Sequence, residues 1–268
     1  MFIEHNKNNI IYMTSPNITV SHAFTTRFGG VSEGIYESMN PGQNLGDNPI
    51  DVRRNYSLLC KAFDIIPDDI IVSRQVHGTN IRVITQHDRD KLFSSERVEA
   101  DGMITDDPTL TLMVFGGDCV PILLHDPIRG VVGAVHAGWR GTAADIAGTA
   151  IRKMQTEFAC NPSDIHAAIG PCISKCCFET NNDVTDSLLE ALGSNAMVCI
   201  SRRGSKCMVD LKEANKLFLT GAGVSNISIS DECTSCLHGK YWSHRKTKGK
   251  RGSHAAMIKG VTIPTERI

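Results

Sequence analysis

The chain has 268 residues and a formal net charge of −1, with 28 Lys plus Arg against 29 Asp plus Glu. That balance lacks the basic excess of a nucleic-acid binder, and no run of about 18 apolar residues is present to span a membrane. The polar start, Met1 to Asn9, does not read as a secretion signal, so the ten cysteines are expected as reduced thiols in a cytoplasmic protein, most of them small buried hydrophobes.

The length exceeds a typical domain but suits one large mixed unit, and no repeat, low-complexity tract or linker divides residues 1–268. In chain order, Asn48-Pro49 reads as an N-cap followed by proline at the first helical position, with Val52, Tyr56, Leu59 and Phe63 at helical spacing. Ile70 to Val76 and Ile81 to Thr85 read as strands on either side of a turn at His77-Gly78-Thr79-Asn80. Thr109 to Phe115, Pro121 to His125 and Val131 to His136 are short apolar, β-branched runs expected as buried strands. Thr142 to Phe158 reads as one helix, opened by Thr142 and Asp145 as a capping box. Ile165 to Ile169 is a strand. Val184, Leu188, Leu189 and Leu192 mark a helix, as do Leu211, Ala214, Leu217 and Phe218. Ile227 to Ser230 and Ala255 to Ile258 are the last strands. Because strands come in groups rather than alternating with helices, an α+β fold is expected rather than a doubly wound parallel sheet.

Three constellations point to chemistry. In Gln75-Val76-His77-Gly78 a histidine stands at a strand end, where a rigid element can aim it into a cleft. In Gly116-Gly117-Asp118-Cys119-Val120-Pro121 a cysteine follows a tight glycine turn; as a thiolate it suits a soft metal or acts as a nucleophile. In Val135-His136-Ala137-Gly138-Trp139-Arg140-Gly141-Thr142 a strand ends in His136 and turns into a helix start, whose free N–H groups favour anions, with Arg140 adding a planar donor fork. His77, Cys119 and His136 would leave a fourth zinc position open, the pattern of a catalytic rather than a structural site. A Cys119–His136 nucleophile–base pair of a thiol hydrolase is the competing reading, and a zinc-stabilised interaction protein is a third. Cys172, Cys176 and Cys177 with Cys233-Thr234-Ser235-Cys236 could form a structural zinc site or a redox pair. Lys240 to Arg251 reads as a solvated basic loop or a lid over an anionic substrate. His125, before Asp126-Pro127, reads as a turn residue, and His22, near Gly29-Gly30, as facing the same cleft.

The strings His22-Ala23-Phe24, Arg27-Phe28-Gly29-Gly30-Val31-Ser32, Asn44-Leu45-Gly46, Gln75-Val76-His77-Gly78, Ala100-Asp101-Gly102, Gly117-Asp118-Cys119, His136-Ala137-Gly138-Trp139-Arg140-Gly141-Thr142, Ile169-Gly170-Pro171-Cys172-Ile173, Val209-Asp210-Leu211 and Ser243-His244-Arg245 occur in that order. Together they resemble the laccase-domain, or polyphenol-oxidase-type, purine nucleoside phosphorylase family, from about Ser21 to Met257. The resemblance implies a layered α/β/β/α fold similar to the cytotoxic-necrotising-factor-type cysteine hydrolases. It implies zinc on His77, Cys119 and His136, and phosphorolysis of adenosine, inosine, guanosine and 5′-methylthioadenosine. Adenosine deamination as a side activity, and copper-linked phenol oxidation, are also attributed to the family; the chain lacks the His-x-His pairs that a multi-copper site would call for. Two departures stand out: His125 replaces the more usual Tyr or Ala before Asp-Pro, and Lys246 to Arg251 carries more positive charge. On this reading purine nucleosides and phosphate are the partners. Arg140 and Thr142 are the candidates for phosphate, Asp118 for orienting a ligand or moving a proton, and His22 and Asn44 for substrate contacts.

Overall fold

The structure, a computed structural model, describes residues 1–262; the last six residues of the expected 1–268 unit lie outside the described residues. The chain begins with β1 (Ile3–Lys7), β2 (Ile10–Thr14), β3 (His22–Thr25), α1 (Pro49–Phe63), β4 (Ile70–Ile71), β5 (Ile81–Val83), β6 (Gly102–Thr105) and β7 (Thr111–Gly116). It continues through β8 (Val120–Asp126), β9 (Val131–Ala137), α2 (Trp139–Ala143), α3 (Ile146–Phe158), β10 (His166–Ile169), β11 (Glu179–Thr180) and α4 (Asn182–Leu192). It ends with β12 (Ile200–Arg203), β13 (Lys206–Val209), α5 (Leu211–Gly221), β14 (Asn226–Ile229), α6 (His244–Thr247) and β15 (His254–Lys259).

Two six-stranded sheets, ordered β1-β2-β3-β15-β7-β4 and β14-β10-β8-β9-β6-β5, carry the architecture, and a small sheet β11-β13-β12 lies beside them. Side chains alternate across a strand, and here both faces find a partner. Leu123, Val132 and Ala134 of the second sheet meet Leu112, Val114, Ala256 and Phe24 of the first. Their neighbours Ile122, Leu124, Val131 and Val135 turn the other way, onto Ile146, Ala150, Ile151 and Met154 of α3 and Ala214 and Leu219 of α5. On the far side, Met113, Ala255 and Met257 pack against Val52, Tyr56 and Leu59 of α1. The result is the α/β/β/α layering of an α+β fold. It also explains why these strands read as unbroken apolar runs: neither face sees water.

Local chemistry sets most boundaries. The Asn48 side chain accepts from the Ile50 N–H at the start of α1, as its Asn-Pro signal predicts. Four expectations change. Ile70 to Val76 is strand only at Ile70–Ile71; Arg74 adds a lone bridge to Glu99, and the chain then turns around Asp101. Thr142 to Phe158 is two helices, because Asp145 takes a left-handed φ of 55° and caps the second by accepting from Gly148 N–H. Thr142 therefore lies inside α2, buried, with its hydroxyl accepting from Asn215 Nδ2 at 2.9 Å. His125 is buried within β8, paired with Val132 one step from the end of the β8–β9 ladder, and not in a turn. The basic stretch Lys240 to Arg251 is not one loop: Tyr241, Trp242 and Ser243 are buried and α6 follows, while His244, Arg245, Lys246, Lys248 and Lys250 are exposed, as the solvated reading expected. No helix among the described residues is long and apolar enough to cross a membrane.

Candidate functional site

The β8–β9 hairpin brings two of the three singled-out residues together. Val120 pairs with Ala137 and Pro121 with His136, so Cys119, one residue before β8, sits beside the end of β9. β6 lies on the other side of β9, with Gly102 opposite Val135, and this sets Asp101 next to His136. The His136 N–H donates to the Asp101 carbonyl at 2.7 Å, and the His136 ring Nδ1 pairs with Asp101 Oδ1 at 2.8 Å. A carboxylate at Nδ1 fixes the proton there and turns Nε2 toward Cys119.

Asp101 also organises His77. The backbone N–H groups of Val76, His77 and Gly78 all donate to its carboxylate, at 3.2, 2.9 and 2.7 Å. His77 has a φ of 62°, a left-handed conformation uncommon for a residue with a Cβ. Three N–H groups converging on one anion stabilise that turn, so a single carboxylate sets both histidines. His77 Nε2 lies 3.8 Å from Cys119 Sγ, and the His77 ring meets that of His136 edge-on at 4.9 Å between centroids. Gly138 closes the group: a Cβ there would come within 2.6 Å of His77 Cδ2. One donor atom from each of His77, Cys119 and His136 falls within 4.8 Å of the others.

The electrostatics follow from this packing. Burial pushes the Cys119 thiol up, but His136 and then His77 outweigh it and bring it down to about 6. Burial opposes the His136 charge, but Cys119 and Asp101 raise it to about 9. Burial likewise works against the Asp101 charge, while the bonds from His136, Gly78 and Val76 hold its carboxyl below the ordinary value. Without a metal these opposite shifts favour a thiolate at Cys119 and an imidazolium at His136. Two imidazoles and a thiolate at this spacing are a donor set suited to zinc, and three donors leave one tetrahedral position that the group itself does not fill.

The other sequence candidates separate. Asp118 is adjacent, with a φ of 104°, but both its oxygens are engaged: Oδ1 accepts from Thr234 Oγ1 at 2.7 Å and Oδ2 from Arg245 N–H at 2.6 Å. It pins loops together, and the orienting carboxylate is Asp101. Arg140 is exposed, its guanidinium 4.2 Å above the Trp139 ring, in a groove shared with Ser187 and Glu190 of α4. Thr142 is buried as described. His22 pairs with Ile258, four residues along β15 from His254, which faces Gly116. Both its ring nitrogens are occupied, by Ser15 N–H and the Val20 carbonyl, each at 2.8 Å. Asn44 lies on an exposed turn, φ 62°, in a cleft with Gln43, Asp47 and Arg53. None of these four is brought to the His77–Cys119–His136 group.

Two residues beside the group are not among the candidate site residues. Arg251 lies against Gly117, where any Cβ would run into the guanidinium. Its Nη1 donates to the Gly252 carbonyl and to Ser253 Oγ, while its buried Nε has no partner. His254 is fully enclosed with both ring nitrogens unpartnered, and burial, then Arg251, lowers it to about 3. Arg251 belongs to the basic stretch read as a solvated loop or as a lid over an anionic substrate. Only the β15–β7 register, His254 opposite Gly116, shows that it abuts the glycine turn before Cys119.

A four-layered α+β protein with an open His–Cys–His group at its strand ends is the class that fold and site define. The chain belongs to the multi-copper polyphenol oxidoreductase laccase family, whose model matches residues 21–260. It is 38% identical over 240 residues to the purine nucleoside phosphorylase YlmD of Geobacillus stearothermophilus, covering 87% of this chain and 88% of that protein. The crystal structure of YlmD from Geobacillus stearothermophilus matches at a TM-score of 0.92 and 35% identity, covering 96% of this chain and 98% of that one. The adenosine deaminase RL5 of an unknown prokaryotic organism is 31% identical over 231 residues, 84% of this chain and 88% of that protein.

Proposed function

We propose that the protein is a zinc-dependent purine nucleoside phosphorylase acting on adenosine, inosine, guanosine and 5′-methylthioadenosine, with His77, Cys119 and His136 as zinc ligands. The observation that carries this reading is the convergence of three donor atoms within 4.8 Å at strand ends, beside an arginine whose buried Nε has no partner, in a chain whose relatives are named for this activity. Bound zinc would act as a Lewis acid or activate a water near neutral pH.

In the reaction a phosphate oxygen forms a bond to the anomeric carbon while the glycosidic C–N bond breaks. Its electron pair leaves with the purine, which takes up a proton, and ribose 1-phosphate remains. The protein must hold an anion, and Arg251 fits that need better than Arg140. Its Nε is a buried donor without a partner, which favours an incoming acceptor, whereas Arg140 is solvated and stacked on Trp139. Asp101 acts as the positioning residue: it fixes the His136 tautomer and the His77 turn. Adenosine deamination as a side reaction rests on the relative named for it and on the zinc-activated water that such chemistry uses.

The test is release of hypoxanthine from inosine by the purified, zinc-loaded protein, with and without phosphate. Release only with phosphate supports phosphorolysis; equal release without it makes the protein a hydrolase and overturns the proposal. A Cys–His thiol hydrolase would use the same Cys119–His136 pair, but it leaves His77, within reach of the same sulfur, without a task. Copper-linked phenol oxidation fits the family's description less well. Among the described residues the two groups able to hold a metal are this one, with two histidines, and an all-cysteine group, not the histidine-rich sets of a multi-copper centre.

A further inference from the structure

Away from this group, four thiols converge from two loops. Cys176 and Cys177 lie in the turn between β10 and β11, and Cys233 and Cys236 in the Cys-x-x-Cys that follows β14. Their sulfurs all lie within 4.8 Å of one another. Cys176 Sγ is 3.6 Å from Cys236 Sγ and 3.8 Å from Cys177 Sγ, and Cys177 Sγ is 3.4 Å from Cys236 Sγ. A zinc ion bonded at about 2.3 Å to four tetrahedral thiolates holds its sulfurs roughly 3.8 Å apart. A disulfide would draw one pair together to about 2.05 Å and leave the others out, whereas here each of three sulfurs neighbours the other two, as around a common centre. An iron–sulfur cluster would spread its cysteines around several metal atoms, and four sulfurs this close enclose room for one.

The backbone supports that geometry. Cys172 and Cys233 form a parallel bridge, and Thr234 N–H donates to the Cys172 carbonyl at 3.0 Å, tying the two loops together before the thiols meet. Ser174 N–H donates to Cys233 Sγ at 3.3 Å, a bond that favours the thiolate. Cys172 itself, next to the group in sequence, is buried and points its sulfur at the Ile173 carbonyl instead.

We propose that Cys176, Cys177, Cys233 and Cys236 bind a single structural zinc ion in all-thiolate tetrahedral coordination, fastening the loop after β10 to the loop after β14. The joined loops also grip the turn that carries Cys119. Thr234, between the two thiols of the Cys-x-x-Cys, donates to Asp118 Oδ1, and Arg245, whose N–H donates to Asp118 Oδ2, reaches back with Nη1 to the Cys177 carbonyl at 2.9 Å. The ion thus braces the turn before Cys119 from behind without touching it.

The full-length protein, purified with reductant, loaded with zinc and freed of excess by gel filtration, is assayed by elemental analysis, and a parallel sample is loaded with cobalt. The proposal expects the intense visible absorption of tetrathiolate cobalt, retained in Cys119→Ala and lost in the Cys176→Ser/Cys236→Ser double variant. In zinc, the double variant falls by one ion per chain relative to wild type. If the double variant does not fold, the wild-type cobalt spectrum decides alone. Wild-type protein without the tetrathiolate band, or a disulfide between any two of the four cysteines in reduced protein, overturns it. Failure of the His77–Cys119–His136 reading would leave one zinc with the tetrathiolate band intact, so the two outcomes separate.

Discussion

The His77–Cys119–His136 group and the four-cysteine group both gather soft donors around a space one ion wide, but they rest on different parts of the fold. The first is set by ladder register: β6, β8 and β9 run side by side, and one buried carboxylate, Asp101, orients both histidines. Partly unpaired Arg251 and His254 lie next to it. The second sits on two loops joined by a lone bridge, with Cys176 and Cys236 exposed. Three ligands and nearby free donors make a site for a reacting partner, while four ligands close a site and leave it only structure to support. On the proposed assignments, rigid strands would hold the chemistry and loops the staple.

The largest expected effect comes from breaking the first group at its ladder-held ligand. His136→Ala should lower phosphate-dependent hypoxanthine release about a thousandfold, the rate equivalent of several kcal/mol of metal assistance. A fall of less than tenfold in initial rate would detach His136 from the chemistry. Next is Asp101→Asn, which keeps the shape but removes the charge that faces His136 and the three N–H groups. Zinc affinity, measured by competition with a chromophoric chelator, should drop by about 10- to 100-fold. Should Arg251 hold phosphate, Arg251→Lys raises the KM for phosphate about tenfold, since one ammonium cannot replace a planar fork, whereas Arg140→Ala leaves it within about twofold. The reverse order in initial-rate kinetics would return the anion site to the start of α2.

The smallest effect is in the proton balance of the metal-free protein. The depressed Cys119 thiol contributes stability that is complete above its ordinary value of 9.0 and lost as pH falls through about 6. The raised His136 contributes stability that is complete below its ordinary 6.5 and lost as pH rises through about 9. The ion pair is therefore intact from about pH 6 to about pH 9. Within that window the lowered Cys119 favours the thiolate, so zinc entering this site in the Cys176→Ser/Cys236→Ser variant should displace about one proton, from His136. Calorimetry in buffers of different ionisation enthalpy counts it, and two protons released at pH 7.5 would mean that the thiol, not the thiolate, stands ready. The double variant is required because zinc entering the four-cysteine group would displace thiol protons of its own.

Much of this was legible in the residues. Apolar runs located the central strands, Asn48-Pro49 started α1 where it belongs, and the glycine-flanked His77, Cys119 and His136 stood out as chemically unusual. Those signals survive in sequence because they are local: side-chain shape, backbone permission at glycine and capping groups act within a few residues. Asp101, Arg251 and His254 were not found that way, nor was it visible that His22, Asn44, Arg140 and Thr142 would point elsewhere. Asp101 acts on residues 24 and 35 positions away, and nothing in its own neighbourhood announces those partners. Asp145 broke an otherwise continuous helical pattern by taking a left-handed turn. The sequence by itself determined which side chains had the chemistry to hold a metal. Which of them share a site, which carboxylate aims them and which partly paired cation stands beside them were decided by β-ladder register and layer packing, because those pairings join segments that no local rule connects.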